Sequence, residues 1–297
     1  MNRRSFLQTS ALAAVAASFG VNASTFAAYK KYEKRIPIAL QLYSLRDVGP
    51  KNADEVARML KQVAEMGYEG VEFAGYYGYD SKPKELRKML DDVGLKGVST
   101  HIGFDAIKGD NLERSAEIAY ELGFNCLIVP GGLEGRIRES RDSNKKVADE
   151  MSECAEKAGE LGMYVGFHGH TGDFLYIKDT EESAWTTFFN NCDPRVIAQV
   201  DVGWCNNAWR KNGVKLNPVE TLAALPGRGK RIHIKSNGDV HGCCVADADD
   251  PVDWGGVLDV CRTVAGTEWF VVEQEQWKVS SMDSARECLD NLKKIGW

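Results

Sequence analysis

The chain has 297 residues, a formal net charge of −6 and eight cysteines. That length holds one large α/β domain with a sizeable core, and the acidic balance argues against a nucleic-acid backbone as partner, because such sites need a basic face. None of the cysteines lies in a C-x-x-C pair, which points to core and loop thiols rather than a disulfide framework.

The first residues read apart from the rest. Arg3-Arg4 precedes Ser5-Phe6-Leu7, then an uncharged Ala-rich apolar segment, then small residues suited to cleavage between Ala23 and Ala28. This resembles a twin-arginine export signal. It implies a signal peptide over 1–28, delivery to the periplasm and no stable membrane insertion after cleavage. The segment is too short and too weakly apolar to be a membrane span.

From residue 35 to 297 a single rhythm runs. "IPIALQLYS" reads as the first strand. Four times an amphipathic segment then ends in an apolar residue plus Gly and leads into a short apolar run: Met66-Gly67, Val93-Gly94, Leu122-Gly123 and Leu161-Gly162. Gly there supplies the left-handed conformation that stops a helix. Val56, Leu60 and Val63, then Leu86, Met89, Leu90 and Val93, keep helical spacing, and the runs that follow are apolar enough to be strands buried on both faces. "VIAQVDVG", "RIHIKSNGD" and "WFVVEQEQW" supply strands six to eight, with helical stretches near Pro218–Leu225, Val252–Val264 and Asp283–Ile295. Eight strand–helix units in this length predict a (β/α)8 TIM barrel. A doubly wound sheet usually carries a Gly-rich turn after its first strand, and "QLYSLRDVGP" has none.

In a barrel of this kind the chemistry sits at the C-terminal ends of the strands. There the sequence places Gln41 and Tyr43, Glu72, His101, His168 and His170, Asp201, His233 and Lys235, and Glu273 and Glu275. The fifth histidine, His241, falls in the loop after strand seven, so all five share one end. A lone strand-end histidine is commonly a hydrogen-bonded structural group, and a lone carboxylate commonly a helix cap. Imidazoles and carboxylates converging together are costly to bury without a cation. Mixed nitrogen and oxygen donors suit Mn, Zn, Co or Fe rather than Ca.

The stretches "LQLYSLRD", "GYEGVEFAGYYG", "STHIGFD", "FHGHTGDF", "IHIKS" and "VVEQEQ" together resemble the xylose-isomerase-like TIM-barrel family of sugar phosphate isomerases/epimerases, which includes inosose dehydratases and endonuclease IV relatives. The resemblance implies one divalent metal, Mn foremost, held by residues of strands five to eight. Asp201, His233 and Glu273 match the last three positions, and His168 stands where the family's epimerases have Glu. That departure matches a histidine-containing branch, and "HGHTG" is similar to inosose dehydratases.

The implied chemistry is removal of a proton next to a sugar carbonyl. Glu275, then His170 and Glu72, are the candidate bases, with Lys235 as polarising group or salt-bridge partner. His101, Gln41, Tyr43, Trp204 and Trp277 are the candidate substrate contacts. With His168 in a seat the epimerases give to Glu, β-elimination on a keto-glycoside or keto-inositol stands beside isomerisation as an outcome. A non-catalytic sugar-binding protein needs aromatic platforms but no metal set, and a repair nuclease needs a richer ligand cluster and a basic surface. The expected partner is a small, non-phosphorylated carbohydrate, because no Gly-rich loop or Arg/Lys cluster follows strands seven or eight.

Overall fold

The structure is a computed structural model that describes residues 35–236 and 242–297. The expected signal peptide and His241 lie outside the described residues. Eight parallel strands alternate with helices: β1 Ile38–Gln41, β2 Gly70–Phe73, β3 Lys96–His101, β4 Cys126–Val129, β5 Tyr164–His168, β6 Ile197–Gln199, β7 Arg231–Ile234 and β8 Trp269–Val272. The helices are α1 Ala53–Met66, α2 Pro83–Val93, α3 Asp110–Leu122, α4 Glu134–Glu139, α5 Arg141–Glu160, α6 Thr171–Phe174, α7 Ala184–Asn191, α8 Val202–Asn212, α9 Pro218–Ala223, α10 Trp254–Thr263 and α11 Ser281–Lys294.

The ladder runs β6-β5-β4-β3-β2-β1-β8-β7. A parallel bridge between Asp201 and His233, with His233 N donating to Val200 O at 3.1 Å, joins its two ends into a barrel. Closure removes the open edges of the doubly wound alternative.

Glycine in the left-handed region ends α1, α2 and α3 at Gly67, Gly94 and Gly123, as the junction pattern predicts. The apolar faces of the helices pack on the outer faces of the strands in one large cluster. Inside the barrel, Ala39, Val98 and Val271 fill the floor with Trp269, beside Cys126, Ile128 and Ile197. A register shift between β2 and β3 at Val71/Glu72 pairs Glu72 with Ser99. This bulge lets consecutive residues serve the interior: Val98 packs in the floor and Ser99 turns to Glu72 in the layer above.

All eight cysteines are buried free thiols. Among the described residues no helix is long and apolar enough to cross a membrane.

Candidate active site

Strand alternation lifts one residue from nearly every strand into the layer above the floor, and Glu72 of β2 is its hub. Gln41 Nε2 (2.8 Å) and His233 Nε2 (2.5 Å) donate to Glu72 Oε1, with His101 Nε2 at 3.1 Å; Ser99 Oγ (2.5 Å) and Gln199 Nε2 (2.8 Å) donate to Oε2. Burial opposes its charge, but the imidazoles of His101 and His233 outweigh it and hold the carboxyl well below the usual range. Five donors around two oxygens leave no lone pair with which to take a substrate proton. The expectation of a base at Glu72 therefore gives way to a holding role. Gln41, fully buried, also accepts from Tyr43 N at 3.0 Å, and His101 is tied to Gln199 Oε1 at 2.8 Å, so both belong to this network.

The four expected ligands come together. His168, Asp201, His233 and Glu273 are all buried, and one donor atom from each lies within 4.8 Å of the others. Burial, reinforced by His233 and His101, keeps His168 neutral, and its Nδ1 sits 3.0 Å from Gln199 Oε1. The amide oxygen only accepts, so Nδ1 carries the proton and Nε2 keeps its lone pair. His233 is held from both sides, Nε2 donating to Glu72 and Nδ1 facing Glu273 Oε2 at 3.1 Å and Asp201 Oδ2 at 3.8 Å. Burial disfavours charge on His233, yet Glu72 and Glu273 raise its pKa to about 10.

Asp201 caps α8 through Oδ1, which accepts from Trp204 N at 2.8 Å, while its buried Oδ2 has no hydrogen-bond partner. Burial is the main force raising this carboxyl to about 7, with Lys235 opposing it and Glu273 adding to it. The orphaned Asp201 oxygen and the free lone pair of His168, joined by His233 Nδ1 once a cation displaces its proton, form a donor set that fits a divalent metal ion.

Lys235 Nζ lies 2.6 Å from Glu275 Oε1, 3.6 Å from Glu273 Oε2 and 4.0 Å from Asp201 Oδ2, with the Trp204 ring centroid at 4.4 Å. Burial works against its charge, but Glu273, Asp201 and Glu275 more than compensate, so it is an ammonium. Glu275 is the partly exposed carboxylate of the group. His170 is half-buried, edge-on to His168 at 4.8 Å between ring centroids, and burial lowers its pKa. Tyr43 and Trp277 stand at the mouth with the Arg46 guanidinium 4.6 Å from each ring centroid.

Residues 60–295 match the description "Xylose isomerase-like TIM barrel". The chain belongs to that family. Its fold is similar to a sugar phosphate isomerase/epimerase from Parabacteroides distasonis, at 22% identity and TM-score 0.72 over 90% of this chain and 96% of that one. It is also similar to the 3-keto-D-glucoside 4-epimerase of E. coli, at 18% identity and TM-score 0.65 over 88% of this chain and 100% of that one. A D-allulose 3-epimerase from Methylomonas sp. superposes with TM-score 0.64 at 15% identity, over 89% and 99% of the two chains. A GMP synthase [glutamine-hydrolyzing] from Polynucleobacter asymbioticus is 28% identical over 112 residues, 37% of this chain and 20% of that protein. The chain thus spans about a fifth of that relative's length.

Within this xylose isomerase-like barrel, sequence reading missed Ser99, Gln199 and Arg46. The first two had a usable signal: Gln199 precedes Asp201 by two residues and so shares its face, and Ser99 precedes His101 on the same strand.

Proposed function

We propose that this protein is a metal-dependent sugar isomerase or epimerase that removes a proton next to the carbonyl of a non-phosphorylated keto-sugar or glycoside derivative. One observation carries the reading: four buried N/O donors from β5, the end of β6, β7 and the end of β8 converge, with Asp201 Oδ2 orphaned among them. His168, Asp201, His233 and Glu273 would hold the metal, which when bound supplies Lewis-acid polarisation of the carbonyl and neighbouring hydroxyl.

The chain's own residues supply the rest. Glu275 takes the α-proton, because among the described residues it is the site carboxylate that is neither saturated nor buried. Lys235 holds Glu275 in place and offsets part of the negative charge of the carboxylates. Glu72 and Gln199 hold the imidazoles from below, and Ser99 steadies Glu72. His170 and Trp204 form the wall beside His168 and Lys235.

A lyase outcome starts from the same proton removal. It is favoured by the presence, among the described residues, of one partly exposed site carboxylate, since epimerisation needs a second group on the opposite face. The test is incubation of the metal-loaded enzyme with keto-sugars and keto-glycosides in deuterated water. Deuterium should appear at the α-carbon and chelator should stop it. A stereoisomer or positional isomer identifies isomerisation, and an unsaturated keto-sugar identifies elimination. No exchange with any such substrate would leave only a binding role or unrelated chemistry.

A further inference from the structure

We infer that Arg46 is a positioning residue: it latches the segment after β8, and Glu275 with it, against the turn after β1. The catalytic consequence rests on the proposed function, whereas the latch stands on contacts alone.

Arg46 caps the 3-10 turn Leu42–Leu45 that follows β1. Its Nη2 donates to Glu275 O at 2.5 Å and its Nη1 to Tyr43 O at 3.2 Å. Its Cζ lies 4.6 Å from the ring centroids of both Tyr43 and Trp277. The guanidinium thus donates to two carbonyls and also lies against two aromatic rings. A lysine ammonium has neither the fork nor the faces to replace this. A second tether runs beside it, Gln274 N donating to Ser44 Oγ at 3.0 Å.

Between these tethers the chain leaves β8 without regular secondary structure, so no ladder of backbone hydrogen bonds fixes Glu275. Its carboxylate meets Lys235 at 2.6 Å. Release of Arg46 would free the backbone that aims that carboxylate.

The test uses the metal-loaded full chain with Arg46→Ala, Arg46→Lys and Trp277→Phe. Arg46→Ala should shift tryptophan emission, and the shift should vanish in the Trp277→Phe background. Amide exchange at 274–277 should rise. In α-deuterium exchange kcat should fall by about 10- to 100-fold, as misplacement of a reacting group costs, with KM within about twofold and metal content unchanged. Added guanidinium should restore part of the rate, whereas Arg46→Lys should stay low. Unchanged emission and kcat would overturn the latch, as would a rate loss matched by loss of metal or of folded protein. If the wild-type chain exchanges no keto-sugar, the functional reading fails by itself, and emission with amide exchange decides the latch.

Discussion

His168 differs from a packing histidine in how its two nitrogens are used. Nδ1 is committed to Gln199 and the ring is held neutral, so its remaining lone pair has a use only if something electron-poor binds. His168→Ala should weaken metal affinity by roughly 100-fold or more. The melting temperature in chelator should fall by only about 5 °C, measured by metal titration and thermal unfolding of one preparation. Full metal occupancy in the variant would remove the assignment. The titratable members of this site were legible from spacing, because histidines and carboxylates announce themselves at strand ends. Ser99 and Gln199 share that spacing, but a hydroxyl or amide is as common in any buried ladder and so did not stand out. Glu72 was legible as a site residue but not in its role, which depends on five donors from four other strands.

The end of β5 shows how an element delivers its side chains. A Cβ on Gly169 would sit 2.5 Å from a Trp185 ring atom and 2.7 Å from a Phe174 ring atom, so only glycine lets the chain pass over that aromatic group between His168 and His170. Gly169→Ala should destabilise the fold by about 1–3 kcal/mol through overpacking and weaken metal binding with it. Gly103→Ala, where nothing lies within 4 Å, should stay within about 0.5 kcal/mol. Equal stability of the two variants in denaturant titrations would contradict the packing argument. The long elements were legible because helical spacing and glycine stops agree. The four-residue α6 and six-residue α4 were not, being too short to show a period. α8 was masked differently, since its N-cap is Asp201, whose residue type already had a reading as a ligand.

At the scale of the whole molecule, the site exists only once the barrel closes. Its four donors come from separate strands, and the bridge that joins β6 to β7 is formed by two of them, Asp201 and His233. An unfolded chain therefore has no preformed site, and the proposed metal binding would be linked to completion of the fold. This bears on export, which we propose to run by the twin-arginine route on the strength of Arg3-Arg4 and the apolar segment after them. That route, as the resemblance implies, carries folded proteins, so a closed and metal-loaded barrel would cross intact. A thread-like route would deliver a chain whose ligands meet only afterwards, among whatever metals the outer compartment offers. Arg3→Lys combined with Arg4→Lys should leave folded precursor in the cytoplasm with its metal already bound, measured by fractionation and metal analysis of the retained protein. Export at the wild-type level would remove the localisation, and retention of a metal-free precursor would place loading after export.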